Sequence, residues 1–87
     1  MKVKNMYSPN GNKVANQFVI TTENSEVFQS YNTIIAIKYN DGTVELDTAW
    51  ECTRTTSKYR NIFLGETTKE TQKHIKSGEY QVTNLNN

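Results

Sequence analysis

The dipeptide Asp41-Gly42 constrains the fold more than any other feature of this sequence. It separates two runs rich in β-branched and apolar residues, 33–39 and 43–48, and Asp-Gly is a strong signal for a two-residue hairpin turn. A loop of that length fixes the register. The predicted cross-strand pairs are Tyr39–Val44, Ile37–Leu46, Ile35–Thr48 and, on the other surface, Lys38–Glu45. The sequence therefore predicts an antiparallel hairpin with one apolar and one charged face.

Further strands are predicted before this hairpin. Ser8-Pro9-Asn10-Gly11 is a turn signal, since proline presets φ at the second turn position and Asn and Gly tolerate left-handed backbone. Residues 1–7 before it form a candidate edge strand. Residues 17–22, with Phe18 and Ile20 on one face, and residues 26–31, with Val27 and Phe28 available to the core, predict a second hairpin around Asn24-Ser25. The first half of the chain is thus expected to be strand-rich.

The pattern becomes helical at the octapeptide Arg54–Asn61. Its hydroxyl side chains are of the type that caps a helix start, and the residues after them carry apolar side chains with i, i+3, i+4 spacing. The hydroxyl residues are Thr55, Thr56 and Ser57, and the apolar residues are Tyr59, Ile62 and Phe63. A first helix is therefore predicted over about 57–64, ending at Gly65.

A second helix is predicted directly afterwards, over about 68–77. Thr67 and Glu70 have the spacing of a capping box, and the cations of the last turn complement the helix dipole. The alternation in Glu79–Leu85 then predicts a last strand. The expected fold class is α+β, a mainly antiparallel sheet of four to five strands with two short helices on one face.

Composition limits the function classes. A chain of 87 residues predicts one small domain, 1–87, and the formal net charge of +1 argues against a general polyanion binder. The single Cys52 cannot form an internal disulfide. Because no apolar run reaches the length of a signal-peptide core or a membrane span, the chain is expected to be cytoplasmic and to make no membrane contact.

No group of residues predicts catalysis, a metal or a cofactor. Cys52 and His74 are the only residues of their kinds, and neither has a neighbouring activating group in the sequence. No cluster has metal-ligand spacing, and the four glycines are scattered rather than grouped in a phosphate loop. We therefore expect a protein that is not an enzyme and takes no cofactor.

The octapeptide is also the predicted binding surface. It places three cations around a helix start, where the dipole disfavours positive charge. Together with free N–H groups and hydroxyls they could bind a phosphate or an acidic partner, although capping alone also explains Thr56 and Ser57. Trp50 either covers one end of the core or anchors a partner. The candidate residues are Trp50, Arg54, Thr55, Thr56, Ser57, Lys58, Tyr59 and Arg60.

Five stretches of the chain, taken together, carry a resemblance. They are SPNGN at 8–12, ANQF at 15–18, FQSY at 28–31, RTTSKYRNIFLGE at 54–66 and GEY at 78–80. The chain resembles a family of small uncharacterised proteins carried by phages and integrative elements of low-GC Gram-positive bacteria. The resemblance implies stoichiometric binding to a host or defence protein in the host cytoplasm, with counter-defence of the anti-CRISPR or anti-restriction kind as a hypothesis.

Two function classes follow. The first is a non-catalytic protein binder, and the alternative is a small nucleic-acid-binding accessory protein that uses the basic patch of Arg54, Lys58 and Arg60, supported by lysines of the second helix and five tyrosines. Tyr31 and Tyr39 are instead expected in core or cross-strand positions. Homodimerisation through an uncovered sheet edge is left open for both classes.

Overall fold

A computed structural model describes residues 1–86 and has six strands and two helices. The strands are β1 (Lys2–Tyr7), β2 (Lys13–Thr21), β3 (Ser25–Ser30), β4 (Thr33–Tyr39), β5 (Val44–Asp47) and β6 (Tyr80–Thr83), and the helices are α1 (Arg54–Leu64) and α2 (Thr68–Lys76). The predicted α+β class with two helices is confirmed. The predicted sheet of four to five mainly antiparallel strands is confirmed in outline, but the sheet has six strands, because the N-terminal segment, a candidate edge strand in the sequence, joins it as well.

The sheet is mixed, with its strands in chain order from β1 to β6. The first five strands form antiparallel neighbours through short turns, whereas β6 lies parallel to β5. A parallel neighbour requires a crossover connection, and α1 and α2 supply it. The crossover leaves both helices on one face of the sheet, and the other face is uncovered in the described part of the chain.

The β4–β5 hairpin has a register one residue away from the predicted one. Lys38 lies opposite Val44, where a two-residue loop would have placed Tyr39. The Tyr39 N–H bonds to the Thr43 carbonyl oxygen at 2.9 Å, so the loop contains three residues. The prediction was wrong because Asp-Gly also suits a three-residue loop, whose glycine takes the positive φ, here 93°.

The changed register exchanges the two faces of this hairpin. Lys38 lies on the helix-covered face, with its Nζ 4.5 Å from the centroid of the Phe63 ring and 2.9 Å from the Phe63 carbonyl oxygen. It also forms an ion pair with Glu26 at 3.5 Å. Tyr39 lies on the uncovered face and donates its hydroxyl to Glu45. The cation predicted on the solvent face thus covers one end of the core.

The core lies between the sheet and the helices. Its buried apolar residues are Met6, Phe28, Ile35, Ala36, Val44, Leu46, Tyr59 and Phe63. A bulge in β4, opposite Phe28, allows the consecutive residues Ile35 and Ala36 both to be fully buried. The rings of Phe28 and Phe63 stack with their centroids 5.8 Å apart and hold α1 against β3.

Helix α1 begins three residues before the predicted start. Thr53 is its N-cap, and the Thr53 Oγ1 accepts the Thr56 N–H at 3.1 Å. The expected caps, Thr56 and Ser57, therefore lie inside the helix. The predicted end at Gly65 is confirmed, since this residue has φ of 69° and caps the helix.

Helix α2 has the predicted capping box. The Thr67 hydroxyl accepts the Glu70 N–H at 3.2 Å, and the Glu70 carboxylate accepts the Thr67 N–H at 3.0 Å. Hydrogen bonding of the Glu70 carboxylate to the Thr67 N–H, and to the Thr67 side chain, lowers the pKa of Glu70. No helix within residues 1–86 is long and apolar enough to cross a bilayer.

Two polar side chains attach the segment after β6 to the sheet. Asp47, at the end of β5, is 3% exposed, and its carboxylate accepts the N–H groups of Leu85 and Ala49, each at 2.8 Å. Asn86 bonds through its amide to the N–H and carbonyl groups of Ile34 in β4. Burial alone raises the pKa of Asp47, but the N–H donors outweigh it and hold this pKa below its ordinary value.

Replacing Asp47 with Asn should lower the free energy of unfolding by about 1–3 kcal/mol at pH 7, because an amide has one acceptor oxygen and leaves a buried N–H unbonded. A depressed folded pKa means that the carboxylate's contribution is present above the unfolded pKa and is lost as the pH falls through the folded pKa. Urea unfolding should therefore show a gap between wild type and variant that narrows below about pH 4.

The matched control for this experiment is Glu23→Gln, at an exposed acidic residue. It should change the free energy of unfolding by less than about 0.5 kcal/mol at any pH. A gap for Asp47→Asn that is the same at pH 3 and pH 7 would contradict the role given to this carboxylate.

Candidate functional site

The eight candidate binding residues do not form one surface. The exposed ones are Arg54, Thr55 and Lys58, the half-buried ones are Ser57 and Trp50, and the buried ones are Thr56, Tyr59 and Arg60. The division follows the helical period, since the buried three face the sheet and α2 whereas the exposed three face solvent. The expectation that all eight belong to a binding surface is therefore corrected.

Thr56 links α1 to the sheet. Its side chain is 2% exposed and shares a hydrogen bond of 2.9 Å with the Ser30 hydroxyl, while the Thr53 hydroxyl donates to it at 3.0 Å. A hydroxyl engaged in this way and sealed from solvent cannot bind an external phosphate. The predicted anion site at the helix start is thus wrong for Thr56, because tertiary contacts use its hydroxyl.

Arg60 is fully buried and joins three segments of the chain. Its guanidinium donates to the Trp50 carbonyl oxygen in the loop before α1, to the Asn61 Oδ1 at 2.9 Å and to the Thr68 Oγ1 at 2.8 Å in α2. The guanidinium carbon also lies 4.8 Å from the centroid of the Trp50 ring. The geometry makes Arg60 a structural cation, where the sequence suggested a surface ligand.

The charge of Arg60 is stabilised mainly by neutral groups. In residues 1–86 no carboxylate lies within ion-pair distance of it. Burial lowers the pKa of Arg60, and the more distant carboxylates of Glu51 and Glu66 partly offset this. Arginine nevertheless stays protonated in proteins, so a full charge is held here by hydrogen bonds and an aromatic face.

Trp50 is the aromatic partner of this buried cation. Its ring is half-buried and packs against the core cluster as well as against Arg60. Of the two readings offered by the sequence, cover of the core describes these contacts, and the tryptophan is not a free aromatic anchor.

The exposed part of α1 forms a separate strip, which we term the outer flank: Arg54, Thr55, Lys58 and Ile62. Ile62 is 46% exposed, although its spacing from Tyr59 had predicted a core position. Its i+4 spacing from Lys58, and that of Lys58 from Arg54, was the signal that could have placed it on the solvent side. The outer flank combines two cations with one apolar side chain.

The electrostatics of the outer flank are unfavourable for the isolated protein. Arg54 is in the first turn, at the positive end of the helix dipole, Lys58 is a like charge four residues further on, and α1 contains no acidic residue. Each of these effects costs a few tenths of a kcal/mol. The contact that Lys58 makes within its own chain is with the Tyr59 ring, whose centroid lies 5.5 Å from its Nζ.

A cluster of titratable groups lies between α2 and β6. His74 has its Nδ1 3.2 Å from Glu79 and its Nε2 3.6 Å from Glu66, and its ring stacks on Tyr80. The Glu66 carboxylate accepts the hydroxyls of Tyr80 at 2.7 Å and Thr71 at 2.6 Å. Burial and the bond to Glu66 raise the pKa of Tyr80. Both imidazole nitrogens face carboxylates, so the cluster fastens α2 to β6.

Cys52 is exposed and lies in the loop before α1. Within residues 1–86, no three His, Cys, Asp or Glu side chains are grouped so as to hold a metal ion.

Comparison with known proteins places the chain in a family. Residues 1–81 match the model of DUF8033, described as a family of unknown function, and the chain belongs to that family. A search with this chain finds no match among the curated proteins or among the solved structures.

Arg60→Ala should lower the free energy of unfolding by about 3 kcal/mol or more, because it leaves buried acceptors without donors and opens a cavity between the helices. Lys58→Ala is the matched control, a cation two positions away that is exposed, and should change stability by less than about 0.5 kcal/mol. Urea unfolding followed by Trp50 fluorescence measures both. Equal stability of the two variants would contradict the structural role of Arg60.

Proposed function

We propose that this member of the DUF8033 family is a non-catalytic accessory protein of a phage or other mobile element, which binds stoichiometrically to a host or defence protein in the bacterial cytoplasm. The outer flank of α1 is the proposed contact. The observation that supports it is the pair of exposed like charges, Arg54 and Lys58, in a helix without any acid.

An acidic partner would relieve the repulsion on the outer flank. Solvent-facing helix surfaces commonly carry acid–base pairs at i, i+4, and this helix has the reverse arrangement at its start. A carboxylate placed between Arg54 and Lys58 would convert two unfavourable terms into two charge-assisted hydrogen bonds. Ile62 adds an exposed apolar contact on the same strip, and arginine is enriched at interfaces. The strip thus has the composition of a small recognition surface.

The mobile-element context and the counter-defence role rest on the sequence resemblance of segments such as 54–66. A protein of this size that inhibits by occupying a surface needs no active site, and small mobile-element proteins, anti-CRISPR and anti-restriction proteins among them, often act by such stoichiometric binding. The genes next to the coding sequence test the context. Replication, packaging or anti-defence neighbours support it, and a location among metabolic genes counts against it.

Nucleic-acid binding is the second candidate, and two exposed aromatic residues favour it. Tyr7 and Tyr31 are 59% and 55% exposed. The expected core or cross-strand position of Tyr31 is wrong, because the residue lies in the β3–β4 turn with a φ of 56°. Its backbone is held there by the Asn16 carbonyl oxygen at 2.6 Å and the Gln29 side chain at 2.8 Å. An aromatic ring presented in this way can stack on a base.

The double variant Arg54→Glu/Lys58→Glu tests the leading proposal. It should abolish partner binding while leaving the protein at least as stable as wild type, because acids suit a helix start where cations do not. The measurement is affinity capture with tagged protein from a bacterial host, quantified by mass spectrometry, followed by native mass spectrometry of the complex reconstituted from the captured partner.

The matched control is Lys69→Glu/Lys73→Glu, which makes the same charge change at the same i, i+4 spacing on α2. It should retain the partner. The proposal fails if no captured protein is lost specifically with the α1 variant, or if the captured partner and this protein do not form a complex of fixed stoichiometry.

A salt titration separates the second candidate from the first. Binding of a fluorescent single-stranded oligothymidine should weaken steeply with salt, with a log–log slope of about −0.7 for each phosphate contacted, and Tyr31→Ala should weaken it further if bases stack there. A protein-binding role predicts no saturable oligonucleotide binding at moderate salt. The Tyr31→Phe variant, which keeps the ring and removes only the hydroxyl, is the control and should bind as wild type does if the ring stacks on bases.

A further inference from the structure

Strand β1 is an edge of the sheet that is fixed in place but open on its outer side. It pairs with β2 alone in the described chain, in regular register from Lys2 to Asn5 and with a break before Tyr7, so alternate N–H and carbonyl groups of the regular stretch point outward. Met6 is 8% exposed and anchors the strand in the core, and the Asn5 side chain donates to the Val14 carbonyl oxygen at 3.1 Å. The outer groups are thus presented on a supported strand.

A shallow groove of about 380 Å³ follows this edge. Its lining residues are Val3, Lys4, Asn5, Tyr7 and Lys13. Val3 and Tyr7 are 60% and 59% exposed, so apolar and aromatic surface lies beside the open backbone groups. The groove therefore offers both main-chain hydrogen bonding and a place for a side chain.

The charged residues that line the groove, Lys4 and Lys13, are both cations. Residues 1–22 contain Lys2, Lys4 and Lys13 and no Asp or Glu, although the whole chain carries a net charge of only +1. All three lysines are exposed. The ion pairs within residues 1–86 are made by Lys38 and His74 and do not involve them. The edge is thus locally basic, and its cations face solvent.

We propose that the outer edge of β1 binds an extended, acidic peptide segment of the partner, which adds to the sheet as a seventh strand. Main-chain hydrogen bonds to β1 would supply affinity, Val3 and Tyr7 would receive alternate side chains, and Lys2, Lys4 and Lys13 would select acidic residues. This inference deepens the proposed function, on which it rests, by naming the partner's chemistry and a second contact surface.

The charges argue for an acidic peptide over a second copy of this chain. Pairing β1 with β1 would bring the Lys2 and Lys4 ammonium groups of two chains together, and like charges across strands are destabilising. Edge lysines are a known protection against self-association, and here the same residues favour a strand of opposite charge. The same lysines therefore disfavour self-association and favour an acidic peptide.

The open backbone groups argue for a peptide over a nucleic acid. The edge presents carbonyl acceptors as well as N–H donors, and a peptide strand matches both. A phosphodiester has only acceptor oxygens, so it leaves the outward carbonyls of β1 without donors and close to negative charge. The lysines could bind either ligand, but the outward N–H and carbonyl groups of β1 are both paired by a peptide backbone and not by a phosphodiester.

The test uses a fluorescein-labelled peptide of about eight alternating Glu and Val residues, within the usual length of a strand. Fluorescence anisotropy with the wild-type protein should show saturable binding. A peptide with Lys in place of Glu, and one with Pro in place of every second Val, should not bind, because the first reverses the charge and the second lacks strand N–H groups. Hydrogen exchange should slow at the outward amides of β1.

The variant Lys2→Glu/Lys4→Glu should weaken peptide binding about tenfold or more, since two attractions become repulsions. Lys69→Glu/Lys73→Glu, with the same charge change on α2, should not. Absence of saturable binding, equal binding of the three peptides, equal effects of the two variants, stronger binding of oligothymidine than of the acidic peptide, or a wild-type dimer in sedimentation that Lys2→Glu/Lys4→Glu dissociates would each overturn the inference.

The result also separates this inference from the function on which it rests. If a captured partner is lost with the α1 variant but retained with Lys2→Glu/Lys4→Glu, the binding role stands and the β1 edge plays no part in it. If neither variant loses a partner and the acidic peptide still adds to β1, the edge is a peptide-binding strand while the outer flank of α1 is not a contact.

Discussion

The buried guanidinium of Arg60 is the contact on which the helical half of the molecule depends. Helices of eleven and nine residues are too short to be stable alone in water, so α1 and α2 need tertiary contacts. Arg60 reaches the loop before α1 at Trp50 and the first turn of α2 at Thr68. This side chain therefore connects α1 to α2 and to the loop before α1, while the Phe63 ring packs α1 against the sheet.

The sequence predicted the turns and helix ends that depend on neighbouring residues. It did not predict the features that depend on contacts between distant parts of the chain. The turn at Ser8–Gly11, the end of α1 at Gly65 and the capping box of α2 involve neighbouring residues only, and all three are present. The Asp41-Gly42 loop has two solutions of similar local energy, and the one adopted places Lys38 against Phe63. The first helix likewise had several hydroxyls available as caps, and the bond between Thr56 and Ser30 accompanies the use of Thr53.

The sequence identified the exposed residues of the candidate site correctly, but not those whose side chains contact other parts of the chain. Arg54 and Lys58 were identified from their misfit with the helix dipole, and they are exposed. Arg60 looked equivalent in the sequence, because its acceptors are a backbone carbonyl and three neutral side chains, none of which carries a charge. The basic edge at β1 was hidden for a different reason. The net charge of +1 describes the whole chain and does not show that residues 1–22 contain no Asp or Glu.

The parallel pairing of β6 with β5 also bears on how the chain reaches its native state. The hairpins from β1 to β5 join segments close in sequence, so each can form early with little loop-closure entropy. Strand β6 has to wait until both helices have docked, since they carry it back across the sheet. Until then the outer side of β5 is an unpaired sheet edge, and the Asp47 carboxylate at its end lacks its bond to the Leu85 N–H. Pairing of β6 with β5 is therefore expected to be the last step of assembly.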